Sequence, residues 1–113
     1  MMDCLFCKIA AGEIPSKKIY EDDKVLAFYD IDPKAPVHFL VIPKQHIPSA
    51  DYITAENSAI VGHVFEVIAK IAAELKLEKG YRVVNNCGEQ GGQTVEHLHF
   101  HILAGRSLAW PPG

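Results

Sequence analysis

Apolar positions along this chain follow two rhythms. Between residues 55 and 76 they recur at three- and four-residue steps: Ile60, Val61, Val64, Val67, Ile68, Ile71, Ala72 and Leu75 form one stripe. Thr54 carries a side-chain oxygen suited to an N-cap, so the pattern predicts a helix over 55–76, closed by Gly80. Elsewhere the rhythm belongs to strands. Residues 18–22 and 24–30 read as two short strands around Asp22-Asp23, a hairpin turn. Residues 38–43, His-Phe-Leu-Val-Ile-Pro, form an apolar run flanked by Pro33, Pro36 and Pro43, the mark of a buried strand. A loop at Pro48 and Ser49 leads to the helix. Strands are also predicted over 81–85 and 95–103, separated by a Gly-, Asn- and Gln-rich loop at 86–93. The tail Trp110-Pro-Pro-Gly cannot be regular structure. No segment repeats, and the sum is an α+β domain.

The last predicted strand carries the strongest chemical signal. Side chains alternate between faces along a strand. Val95, His97, His99 and His101 therefore share one face, and Leu98, Phe100 and Ile102 share the other. The apolar side is expected to meet the core, leaving the opposite side with a row of imidazoles about 6 to 7 Å apart. Imidazole titrates near neutrality and serves as base, nucleophile or ligand. A complete mononuclear metal site would need ligands from elsewhere, because this spacing splays the rings. Nucleophilic attack at phosphorus fits better: a neutral ring nitrogen attacks, then leaves, splitting one displacement into two. The preceding loop, Asn86-Cys-Gly-Glu-Gln-Gly-Gly-Gln-Thr, supplies backbone and a hydroxyl suited to phosphate oxygens.

Composition narrows the field. A chain of 113 residues has room for one core, so one domain is expected over 1–113. With 49% apolar and 22% charged residues it reads as an ordinary globular protein. A net charge of −3 argues against a nucleic-acid coat protein. The first eight residues show no leader pattern, and Glu66, Lys70 and Glu74 interrupt the long helix, so no membrane partner is expected. Cys4, Cys7 and Cys87 are an odd set without the spacing of a small secreted scaffold, which favours a reducing, cytoplasmic setting. Cys4-Leu-Phe-Cys7 is half of a tetrahedral zinc site or simply two free thiols. Cys87 has no evident partner, and His63 reads as a solvated face residue of the helix.

His97-Leu-His-Phe-His-Ile-Leu resembles the alternating His/apolar signature of the histidine-triad superfamily. Tyr20-Glu-Asp-Asp, Ala27-Phe-Tyr-Asp-Ile, Ala35-Pro-Val-His-Phe-Leu-Val-Ile-Pro-Lys, Gly91-Gly-Gln-Thr-Val and Trp110-Pro-Pro-Gly are similar to its Hint branch, the histidine-triad nucleotide-binding proteins. The resemblance spans nearly the whole chain in order. It implies an antiparallel five-stranded sheet with one long helix and a short N-terminal helix, paired as a homodimer edge to edge. It also implies cleavage of the P–N bond in purine nucleoside 5′-phosphoramidates, without a catalytic metal. The neighbouring branch hydrolyses dinucleoside polyphosphates, and a regulatory nucleotide-binding module is a further alternative.

The same resemblance assigns residues. His99 would be the nucleophile, with His38, His97 and His101 in support. Thr94 stands where the family usually has Ser and would assist the leaving group. Asn86 and the backbone of Gly92, Gln93 and Thr94 would hold phosphate and ribose, and Asp30, otherwise a turn residue, would accept from the ribose hydroxyls. Phe6, Ile9, Ile14, Phe28 and Ile31 would line the base pocket or serve as plain core. Trp110 would lie near the partner's site. Members carrying a Cys pair bind a structural zinc, for which the matching residues are Cys4, Cys7, His46 and His97.

Overall fold

The computed structural model describes residues 4–113. Met1, Met2 and Asp3, the start of the segment read for a leader, lie outside the described residues. A short helix α1 (Leu5–Ala10) leads into strands β1 (Lys18–Glu21), β2 (Val25–Tyr29) and β3 (Val37–Pro43). A 3-10 turn (Ala50–Tyr52) precedes the long helix α2 (Ala59–Glu74), and strands β4 (Arg82–Val84) and β5 (Phe100–Ala104) complete the chain. The sheet runs β1-β2-β3-β5-β4 with every neighbouring pair antiparallel. This is the α+β architecture expected.

Both faces of the sheet are covered, which explains why β2 and β3 read as nearly continuous apolar runs. On one face Val25, Ala27, Phe39, Val41, Phe100 and Ile102 meet Val64, Val67, Ile68 and Ile71 of α2. Each such Val, Ile or Phe side chain contributes about 1.5–3 kcal/mol relative to exposure. On the other face Leu26, Phe28, Leu40 and Ile42 pack under Cys4, Phe6 and Ile9, with Ile14 alongside. The imidazole face is therefore roofed by α1 rather than solvated. No helix among the described residues is long and apolar enough to cross a membrane.

Three boundaries differ from the pattern. Residues 54–58 form a separate turn, in which Asn57 Oδ1 accepts from the Thr54 N–H (2.7 Å) and the Thr54 carbonyl accepts from the Ser58 N–H (2.8 Å). Thr54 Oγ1 also accepts from the Glu56 N–H (3.3 Å), so Thr54 caps this turn, and α2 is set off from it where the N–H groups of Ile60 and Val61 take the i−3 carbonyls of Asn57 and Ser58 (3.1 and 3.0 Å). At the other end α2 stops before Gly80. Lys76 takes the left-handed conformation (φ 57), and Leu77 N–H reaches Ala72 O at 2.9 Å while Lys76 N–H reaches Ala73 O at 3.2 Å, a Schellman closure. The last strand begins at Phe100, not at residue 95. Leu98 N–H is taken by Ile47 O (2.6 Å) and His97 N–H by Val95 O (2.9 Å), so this stretch leaves the ladder.

His63 is also not a free face residue. Its Nε2 lies 2.7 Å from Asp22 Oδ2, and Asp22 Oδ1 accepts from the N–H groups of Lys24 and Val25 (2.8 Å each). Burial works to raise the Asp22 carboxyl, but these bonds hold it well below the usual carboxylate range. The Asp22 hydrogen bond raises the His63 pKa above its ordinary value. The pair ties α2 to the β1–β2 turn.

Candidate active site

Leaving the ladder does not scatter the histidines. His97 is fully buried and His99 is 4% exposed, both on the α1 side of the sheet, and His101 follows on β5. His38, on β3, lies next to β5 and meets His101 with ring centroids 5.2 Å apart. The His99 and His101 rings are 5.0 Å apart, and Phe6 of α1 stands edge-on to His99 at 5.0 Å.

The hydrogen bonds determine which ring nitrogens carry protons. His99 Nδ1 lies 2.6 Å from the His97 carbonyl. A carbonyl only accepts, so Nδ1 carries the proton and Nε2 keeps its lone pair. His38 Nδ1 accepts from the Lys34 N–H (3.0 Å), so the neutral ring is protonated at Nε2. That Nε2–H donates to His101 Nδ1 at 2.9 Å, which leaves the His101 proton on Nε2. Asp30 Oδ2 lies 3.4 Å from His38 Nε2. Burial lowers the pKa of His38, His97 and His99 below the ordinary imidazole value. At His101, burial together with His99 and His38 brings it to about 4. All four rings are neutral near pH 7, the state a nitrogen nucleophile requires.

A cavity of about 270 Å³ opens against the His99 and His101 rings, with His38 and His97 behind them and outside its lining. Its walls include His99, His101, Thr94, Asp30, Phe6, Ile9, Ile14, Phe28 and Ile31, which brings nine of the residues singled out from the sequence to one place. Leu5, Pro15, Tyr29, Leu40 and Val95 complete it without having carried any chemical signal. Ile31 is fully exposed at the rim. A wider hollow of about 520 Å³ near the start of α2 is lined by Lys44 and His63, already paired with Glu21 and Asp22.

The loop before His97 is arranged differently from a free phosphate cradle. Gly92 N–H donates to Glu89 O and Gln93 N–H to Gly88 O, both at 3.0 Å. The Gln93 side chain bonds Gly88 N–H, Pro48 O and Val95 O. These groups stiffen the loop, and a Cβ at Gly91 would collide with the Cys87 carbonyl. Thr94 is the loop residue that reaches the cavity; Asn86 sits half-buried beside Asn85, whose Nδ2 donates to His99 O at 2.9 Å. Trp110 is 81% exposed on a tail held by Arg82 to Ala109 O (2.9 Å).

Behind the triad lies a second cluster. Cys4 Sγ is 3.3 Å from His97 Nδ1, and Cys7 Sγ is 3.2 Å from His46 Nδ1 and 3.5 Å from His97 Nδ1. The four donor atoms lie within 4.8 Å of one another. His97 Nε2 is bonded to Pro43 O at 2.8 Å, so its Nδ1 turns an unprotonated lone pair to the thiols. The third grouping, Asp30, His38 and His101, is a poor metal site because its imidazole contacts are already committed in the His38–His101 hydrogen bond.

Comparison with known proteins agrees with this geometry. The HIT domain pattern matches residues 11–108. An uncharacterized HIT-like protein of Synechococcus elongatus is 56% identical over 111 residues, covering 98% of this chain and 97% of that one. The crystal structure of a HIT family hydrolase from Legionella pneumophila superposes with a TM-score of 0.96 at 46% identity, covering 98% and 100% of the two chains. A histidine triad nucleotide-binding protein from Candida albicans superposes with a TM-score of 0.82 at 36% identity, covering 96% and 83%. With its ordered imidazoles, its cavity and these relatives together, the chain belongs to the HIT domain family.

Proposed function

We propose that this protein is a nucleotide-binding hydrolase that cleaves the P–N bond of purine nucleoside 5′-phosphoramidates through a nucleotidyl-histidine intermediate. One observation carries the reading: His99 is neutral, its Nδ1 proton is committed to the His97 carbonyl, and its free Nε2 belongs to a ring lining a cavity of nucleoside size. The similar proteins named as a hydrolase and as a nucleotide-binding protein support it.

The residues divide the work. Phe6, Ile9, Ile14, Phe28 and Ile31 offer apolar surface to the base, and the Asp30 carboxylate accepts from the ribose hydroxyls. His99 Nε2 attacks the α-phosphorus, forming an N–P bond as the P–N bond to the amine breaks. The departing nitrogen keeps the electron pair and takes a proton from water, with the Thr94 hydroxyl hydrogen-bonded to it. The His101 Nε2–H, set by the Lys34–His38–His101 chain, donates to a non-bridging oxygen. Water then attacks phosphorus and releases the nucleoside monophosphate and neutral His99. The family resemblance gives the phosphate to Asn86 and the Thr94 N–H as well, whereas Gly92 and Gln93, whose N–H groups are already bonded, act by holding the loop.

Cys4, Cys7, His46 and His97 fit a structural zinc. Zinc bonds of about 2.0–2.3 Å in a tetrahedron place neighbouring ligands about 3.3–3.8 Å apart, close to the separations seen. Burial and the neighbouring Cys4 push the Cys7 thiol up to about 11, a cost that a dication removes by binding the thiolates. A zinc held by these four residues would tie α1 to the His97 segment.

The deciding experiment is His99→Ala against an adenosine 5′-phosphoramidate. Turnover falls by at least about a thousandfold while nucleotide binding stays within a few-fold. Retained turnover would exclude His99 as the nucleophile.

A further inference from the structure

The β4–β5 ladder pairs Arg82 with Leu103, Val83 with Ile102 and Val84 with His101, and ends there. His99 stands two residues before that last rung, so its carbonyl lies beyond the reach of β4's main chain. The chain after β4 turns away into the 88–92 turn, closed by the Gly92–Glu89 and Gln93–Gly88 bonds. His99 is nevertheless buried, and a buried carbonyl without a donor is costly. Asn85, the first residue after β4, supplies the donor from its side chain, Nδ2 to His99 O at 2.9 Å.

We propose that Asn85 is a positioning residue for the His99 nucleophile, extending the β4–β5 ladder with its side-chain amide to hold the peptide from which the ring hangs. The ring itself has two restraints, the His97 carbonyl at Nδ1 and the edge of Phe6. Neither acts on the main chain of His99. Leu98 N–H is held by Ile47 O and Phe100 by its rung with Val41, so Asn85 is the bond on the His99 carbonyl between those two anchors; without it the peptide at residue 99 gains room to tilt, and Nε2 moves with it. In-line attack tolerates little such movement, since reacting atoms must sit about 3–3.5 Å apart and aligned. Asn86, the asparagine that the motif singles out, does not make this bond.

The kinetic consequence rests on the phosphoramidase reading, so the test has a second arm without substrate. Asn85→Ala removes the donor. Asn85→Asp keeps the volume but presents carboxylate oxygens, which cannot donate to the His99 carbonyl. Both variants are expected to lose about tenfold in kcat on adenosine 5′-phosphoramidate, as for one hydrogen bond spent on orientation, with KM within about twofold. In substrate-free protein, imidazole 15N spectra should show the single Nδ1–H tautomer of His99 giving way to a mixture in both variants, with His38 and His101 unchanged. Asn85→Asp behaving like the parent in kcat and spectra would reduce Asn85 to packing and overturn the proposal, even if Asn85→Ala fails to fold. Should the parent not cleave the phosphoramidate, the functional reading fails alone, and the spectra still decide the role of Asn85.

Discussion

The four histidines of the site differ by what each ring nitrogen touches. His97 gives Nε2–H to Pro43 O and turns Nδ1 to the thiols, and His99 gives Nδ1–H to His97 O. His38 and His101 are linked in series from the Lys34 N–H. Because burial lowers these pKa values, the unfolded chain binds more protons than the native one between the folded values and about 6.5. Stability supplied by the neutral rings is therefore present above pH 6.5 and declines as pH falls toward about 4, the His101 value. Thermal denaturation scans from pH 7 to pH 4 should show the melting temperature dropping across that window. His101→Gln, which keeps a neutral hydrogen-bonding side chain, should flatten part of the drop; an unchanged slope would mean that His101 is not a source of it.

At the scale of elements, α1 is the piece whose hold on the sheet depends most on chemistry rather than area. It has six residues, too few to be stable alone. Phe6 and Ile9 bury against Phe28 and its neighbours, and Cys4 and Cys7 bring it to His46 and His97. If zinc links them, a chelator or Cys4→Ser with Cys7→Ser should lower the melting temperature by several degrees and release about one equivalent of metal per chain. Purified protein containing no zinc, with a melting temperature indifferent to both treatments, would leave Phe6 and Ile9 as the attachment. The elements themselves were mostly legible in the apolar pattern: β1 to β4 fall within or beside the expected ranges, and the α2 stripe matches Val64, Val67, Ile68 and Ile71. The misread ends had local causes that periodicity does not register. Asn57 and Thr54 close their own turn before α2, Lys76 takes a conformation more often left to glycine, and Ile47 takes the N–H of Leu98.

At the scale of the whole molecule, β4 ends the sheet, and its outer edge has no strand partner among the described residues. An open edge invites pairing, and next to it stand Tyr81 at 41% exposure and Trp110 at 81%. The homodimer implied by the family resemblance would cover this edge and carry each Trp110 toward the partner's cavity. Light scattering should then give twice the 12.5 kDa chain mass, and Trp110→Ala should change leaving-group preference more than nucleotide affinity. A monomer at micromolar concentration would contradict that assembly. By itself the sequence determined the α+β class, the strand and helix periods, the family, and the identity of the chemically capable residues, because these depend on local pattern and residue type. Only the tertiary structure decided that the imidazole face is roofed, which ring nitrogens hold protons, that Gln93 braces its loop, and that Asn85 reaches His99. Those are properties of contacts between residues far apart in the chain, and spacing along the sequence carries no record of them.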